Sequence, residues 1–243
     1  MFTKLFLFCS IFFLWGCNSP TPKYEIGIDP SWYPLDFQER QTNVFGFSTE
    51  LLTQISLEEN IEFSILNTNW DSLLDGLTTQ KYQAILSSLY PYNFNQNIYS
   101  FSEPFLNTGP VLVASIQTPE LSLKDLSGKT IGVLEGSPEI LMLEKDSTIS
   151  IRSYASVPDT LNDLVAENIH AALLPALNAT AYVDHLYFRK LKVASKPLND
   201  QGLRLITLKE KEPKLLEKFN KALEHMKKNK SYTELISKWN LEE

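Results

Sequence analysis

Apolar runs of β type alternate with segments of helical period along almost the whole chain, and this alternation constrains the fold most. Tyr24 to Asp29, Ile61 to Leu66, Ala84 to Leu86, Val111 to Ala114, Lys129 to Leu134, Ala171 to Leu174 and Leu203 to Leu208 read as strands. Helical spacing covers Phe47 to Leu57, Trp70 to Leu77, Val157 to Glu167 and Pro213 to Lys228, with a last short helix over Ser231 to Trp239. In the Pro213 helix, Leu215, Leu216, Phe219 and Leu223 form the inward stripe. Strand–helix alternation with right-handed crossovers predicts an α/β fold with largely parallel sheets. Glu135-Gly136-Ser137-Pro138 follows a strand and reads as a tight turn opening a helix, with proline early in it.

Composition excludes several classes. Of 243 residues, 43% are hydrophobic and 21% charged, which suits a globular chain with a real core. A formal charge of −7 argues against nucleic-acid binding, which needs a basic face. Cys9 and Cys17 both lie near the start, so neither a disulfide framework nor a cysteine metal site is expected. His170, His185 and His225 have no ligand-type spacing and read as solvated or structural. No cofactor is expected.

The N-terminus reads as an address. Lys4 precedes an apolar run from Leu5 to Trp15, the pattern of a signal peptide over residues 1–16 and too short to span a bilayer. Leu14-Trp15-Gly16-Cys17 resembles a bacterial lipobox, with Cys17 as the lipidated residue; Trp15 departs from the small or branched residue usual there. The alternative is a soluble secreted protein whose cysteine is accidental. Residues 17–23, polar and proline-rich after the cysteine, form a tether.

Six short motifs in order then carry a resemblance. They are Gly27-Ile28-Asp29-Pro30-Ser31-Trp32-Tyr33-Pro34-Leu35-Asp36-Phe37 with Gly46-Phe47-Ser48; Trp70-Asp71-Ser72-Leu73-Leu74 through Lys81-Tyr82-Gln83-Ala84; Phe101-Ser102-Glu103-Pro104-Phe105; Leu126-Ser127-Gly128-Lys129-Thr130-Ile131-Gly132-Val133 with Gly136-Ser137; Glu217 to Lys228; and Lys238-Trp239. Together they resemble the polar amino-acid-binding proteins of bacterial ABC importers, solute-binding family 3, of the glutamine- and arginine-binding kind. The resemblance implies a two-lobed type II periplasmic-binding-protein fold, each lobe a sheet flanked by helices. Lobe one would be residues 24–111 plus 198–243 and lobe two 112–197, joined by two crossover strands. It implies a lipid-anchored, monomeric, periplasmic component that closes on a small polar solute, an amino acid above all, and presents it to an inner-membrane permease. It implies no enzymatic activity. A sensor or non-transport envelope protein, or a dehydratase-like enzyme on the same scaffold, are the alternatives; Asp29 and Glu103 are the one acid/base pair such an enzyme would offer.

Carried over by position, Trp32 and Trp70 match aromatics on opposite sides of a ligand, able to sandwich an apolar chain or a cation. Asp29, at a strand end, matches a position receiving a polar group. Ser87 and Ser88 match serines that meet a carboxylate, and Tyr90 stands where a pocket Ser or Thr is usual. Gly136 and Ser137, if they open a helix, offer free N–H groups and the positive dipole end to an anion. Two family features are missing. The carboxylate-clamping Arg falls near Asn95, and no Lys or Arg occurs between Lys81 and Lys124. The acid that holds an ammonium falls near Pro175, and the Asp of Gly-Phe-Asp is Ser48. Arg204 is the candidate substitute cation. Asn95-Gln96-Asn97 and the sequon Asn178-Ala179-Thr180 read as ordinary surface.

Overall fold

A computed structural model describes residues 20–32, 37 and 40–241; the leader, Cys17 and residues 33–36 lie outside the described residues. The elements run β1 (Lys23–Ile28), α1 (Gln41–Glu59), β2 (Glu62–Asn67), α2 (Trp70–Thr78), β3 (Ala84–Ser87), α3 (Asn93–Gln96), β4 (Tyr99–Phe101), β5 (Leu106–Asn107) and β6 (Pro110–Ser115). A 3-10 turn at Leu123–Leu126 follows, then β7 (Thr130–Leu134), α4 (Ile140–Leu143), β8 (Ser150–Tyr154), α5 (Val157–Val165), β9 (Ala171–Pro175), α6 (Ala176–His185) and β10 (Leu191–Val193). The chain ends with β11 (Gly202–Leu208), α7 (Pro213–Lys228) and α8 (Ser231–Lys238).

Two helix-flanked sheets result, in the order β2-β1-β3-β11-β4 with β5 also on β11, and β10-β6-β9-β7-β8. They are mixed rather than largely parallel. β1 pairs parallel with β2 and β3, and β7 with β8 and β9. β11 and β6, which carry the chain between the sheets, enter antiparallel to β3 and β9. A strand arriving from the other sheet comes from the opposite direction, which strand–helix alternation alone does not reveal.

Local chemistry sets the helix ends. Asn69 accepts the Ser72 N–H to cap α2, Ser156 accepts that of Asp159 to cap α5, and Asn60 closes α1 in the left-handed conformation. α7 buries the predicted leucines and Phe219, together with Ala222 and Met226. Phe47, Phe105 and Phe219 pack ring to ring at 6.1–6.3 Å and tie α1 and α7 to the Phe105 segment. Burying each such ring contributes roughly 1.5–3 kcal/mol. On the other face, Tyr82 lies across Gly27 and Gly76, where a Cβ at either position would collide with its ring. Its hydroxyl donates to Leu73 O at 2.7 Å, pinning α2, and hence Trp70, against β1 and β3.

Candidate functional site

The parallel strands β1, β3, β7 and β9 all end toward the region between the two sheets, where open α/β sheets place ligands. A cavity of about 390 Å³ opens there, within the size range of small-molecule sites. Phe37, Ser88 and Tyr90 line it from the first sheet's side; Leu134 at the end of β7 and Ser137, Pro138 and Glu139 from the loop after it; Pro175 at the end of β9 with Leu177 and Asn178 at the start of α6. Thr108, Gln201 and Gly202 reach it from the two crossing connections. These connections run side by side: the Thr108 and Gly109 N–H groups both donate to Gln201 O, at 2.9 and 3.2 Å. Gly202 lets them approach, because a Cβ there would meet the Leu106 carbonyl at 2.5 Å. A second hollow of about 360 Å³ beside α6 and β10 is lined from that sheet alone.

The residues singled out from sequence fall into two groups. Ser88, Tyr90 and Ser137 line the cleft. Asp29, Trp32, Trp70 and Ser87 surround an adjoining niche that Ser88 also borders, closed even to a water-sized sphere. Asp29 Oδ1 accepts the Ser31 N–H at 2.9 Å and hydroxyl at 2.6 Å, so half of that carboxylate serves the turn after β1. Ser87 Oγ likewise accepts the Leu89 N–H at 3.2 Å. Trp32 holds a φ of 53°, a left-handed conformation rare for a bulky side chain. It is 3% exposed, and its indole N–H has no hydrogen-bond partner among the described residues. Leu177 of α6 joins the apolar cluster containing Trp32 and Phe37, so that cluster reaches across the cleft.

Three expectations are corrected. Gly136 and Ser137 do not open a helix: α4 starts only at Ile140 and is one turn long, so no dipole is aimed from there. Gly136, at a φ of 69°, makes the turn and is absent from the cleft lining. Asn95 is buried and turned back, its amide donating to Tyr90 O at 2.7 Å; it shapes the loop that carries Tyr90 and faces neither cavity. The sequon residues Asn178 and Thr180 are 5% and 7% exposed, because they lie in the first half of α6 rather than on the surface.

Arg204 is not a free cation for the cleft. Its guanidinium donates to Ser102 O at 2.8 Å, and to Asp200 O and Oδ2 at 2.8 and 2.9 Å. Asp200 Oδ1 in turn accepts the Tyr90 hydroxyl at 2.6 Å. That bond, followed by burial, pushes the Tyr90 phenol above its ordinary value. The same bond, with the Arg204 charge behind it, holds the Asp200 carboxyl below the usual carboxylate range. Asp29 and Glu103 line separate cavities and form no pair. Among the described residues no group of His, Cys, Asp and Glu gathers as a metal site, and no helix is long and apolar enough to cross a membrane.

Glu139, Asn178, Thr108 and Gln201 escape the sequence reading. Glu139 is the most informative omission, an acidic residue 7% exposed on the cleft wall. Its signal is its place five residues beyond the end of β7, two after Ser137.

The family model for bacterial extracellular solute-binding proteins, family 3, matches residues 24–242. The arginine-binding extracellular protein ArtP of Bacillus subtilis (strain 168) is 25% identical over 233 residues, covering 92% of this chain and 88% of the relative. The histidine-binding periplasmic protein of Escherichia coli (strain K12) is 24% identical over 224 residues, covering 88% and 86%. Among solved structures, the unliganded open L-cystine solute receptor of Neisseria gonorrhoeae superposes with a TM-score of 0.71 at 17% identity, over 90% of this chain and 93% of that one. The open second substrate-binding domain of Lactococcus lactis GlnP gives 0.67 at 20%, over 90% and 96%. These two structures share the fold, a type II periplasmic binding protein.

Proposed function

Because the chain belongs to the bacterial extracellular solute-binding proteins, family 3, we propose that it captures a small nitrogen-bearing solute of the amino-acid class. Capture takes place in the cleft between the sheets, and the loaded form is handed to an ABC permease. The observation that carries this reading is the 390 Å³ cavity whose walls come from both sheets and both crossing connections. Such a cavity changes shape when the sheets rotate about the connections, the geometry of hinge closure. In this reading residues 24–111 with 198–243 move as one lobe and 112–197 as the other. Ser88, Tyr90 and Ser137 meet the solute directly; Trp32, Trp70, Asp29 and Ser87 form the adjoining niche into which part of it extends. Arginine-, histidine- and cystine-binding relatives support the amino-acid class. The periplasmic relatives and the lipobox-like Leu14-Trp15-Gly16-Cys17 support an envelope location with Cys17 as the anchor.

Thermal unfolding of the purified protein against the twenty amino acids, their amides and short peptides tests it. A bound solute at about 100 times its dissociation constant adds roughly 2.7 kcal/mol, a rise of about 5–10 °C for a chain of this size. Loss of the shift in Ser88→Trp, which fills the cleft, assigns the site. A panel without any shift refutes capture of this solute class.

A further inference from the structure

Among the described residues, Glu139 is the only charged side chain on the cleft wall; every other described lining residue is apolar, a hydroxyl or an amide. The residue as a whole is 7% exposed and no hydrogen bond or ion pair reaches it among the described residues, so its carboxylate meets only the solvent of the cleft. Beside it, Ser137 Oγ is buried without a partner. The one buried arginine is held by Ser102 and Asp200. The undescribed stretches flanking Phe37, residues 33–36 and 38–39, contain no Lys or Arg in the sequence, so they supply no cation either. A carboxylate without a partner in a concave, mostly apolar wall offers a cation a site where charge pairing is screened less than on an open surface.

We propose that the solute of this cleft is an organic cation without a free carboxylate, an amine or guanidine whose positive group pairs with Glu139. The proposal rests on the capture reading above and goes beyond its amino-acid class, to nitrogen-bearing solutes that lack the carboxylate. A zwitterion suits this wall poorly. Its carboxylate would find hydroxyls, amides and the first turn of α6, whose dipole amounts to about half a charge. Against that half charge stands a whole like charge at Glu139, with no guanidinium to clamp the anion. An amine leaves no such anion behind, and its apolar body meets Phe37, Leu134, Pro175 and Leu177.

Matched pairs test this by titration calorimetry on the purified protein: arginine against argininamide and agmatine, lysine against lysinamide and cadaverine, histidine against histamine. The carboxylate-free member should bind at least about tenfold more tightly than its acid in any pair that binds, since one unopposed like charge in a partly buried site is worth about that factor or more. Glu139→Gln should weaken the amine at least about tenfold and narrow the gap within the pair. The comparison within the wild-type protein decides the matter even if the variant fails to fold. If the free amino acid binds as tightly as its amide or amine, the proposal is overturned while solute capture stands. If no member of any pair binds and a neutral solute from the wider panel does, the proposal also falls and capture survives. If nothing in either panel binds, both fall.

Discussion

Replacing Asp200 by alanine removes the acceptor that joins the Tyr90 loop to the second crossing connection. Two bonds disappear: Tyr90 Oη to Oδ1 at 2.6 Å and Arg204 Nη2 to Oδ2 at 2.9 Å. The guanidinium is not stranded, because the Ser102 and Asp200 main-chain carbonyls still accept from it. Breaking a fully buried charged pair costs about 3–5 kcal/mol, and a surface pair roughly 0–1. Here the Arg204 side chain is 6% exposed and that of Asp200 60%, so solvent screens half the pair. We expect a loss of about 1–2 kcal/mol, a fall in the unfolding midpoint of about 3–6 °C at pH 7. The pH dependence is a stricter check. The folded-state pKa of Asp200 is lowered, so its contribution is complete above the unfolded value near 4 and is lost as pH falls through the lowered one. The gap between wild type and variant should therefore shrink below about pH 4. Tyr90 has the opposite sign: with a raised pKa it contributes fully below about pH 10 and fails as pH rises through the raised value. Thermal melts of both proteins across pH 3–7 settle it. A gap under 1 °C at pH 7, or one undiminished at pH 3, refutes the joint.

Ser137→Ala removes a buried hydroxyl that has no partner, so the ligand-free midpoint should hold or rise while solute affinity falls several-fold; a fall of more than about 2 °C contradicts the geometry. Gly76→Ala drives a methyl into the Tyr82 ring and should cost about 2–3 kcal/mol by urea denaturation, whereas a surface helix glycine would gain from the same change. Trp32→Phe discards the unpartnered indole N–H and some volume; the two effects should nearly cancel, within about 1 kcal/mol, against roughly 3–5 for Trp32→Ala. A tryptophan whose N–H is hydrogen-bonded would lose that bond as well, so its phenylalanine variant would cost clearly more than about 1 kcal/mol in thermal melts.

Elements with a clean apolar period were legible. α7 starts at Pro213 and ends at Lys228 as its stripe predicts, and the buried runs of β3, β9 and β11 need no structural context. What escaped has a physical reason in each case. β8 is an edge strand with three of its five residues, Ser150, Arg152 and Ser153, exposed, so it carries no apolar signal. α6 buries Asn178 on the cleft side and Thr180 toward the hollow beside β10, together with Ala176 and Leu177, and these buried polar residues blur the helical stripe. Ser88, placed from a strand end, lines the cleft, and so does Ser137, which was reached through a helix opening that the fold does not contain. Asn95 was misread because position in a motif names a neighbourhood and not a direction; its amide turns back on Tyr90 O.

Charge placement explains why the scaffold and its expected reading of zwitterions part company here. Arg204 is the only buried cation among the described residues, and it sits on the strand that returns from the second sheet. Its donors span Ser102, before β5, and Asp200, in the second crossing connection, and through Asp200 reach Tyr90 after β3. A guanidinium holding three segments in fixed geometry cannot also clamp a ligand carboxylate, since both tasks use the same N–H fork. The cation therefore belongs to the mechanics of the crossing, and Asn95 keeps the Tyr90 loop in the shape that lets the hydroxyl reach Asp200. Recognition is left to the opposite wall, where Pro175 offers no charge and Glu139, one loop away, offers one of the sign that attracts amines. An acid in the turn after β7, with none at the end of β9 and no clamp beside it, is the basis of the proposed preference: the wall offers a charge to the nitrogen of a solute and only neutral donors to a carboxylate.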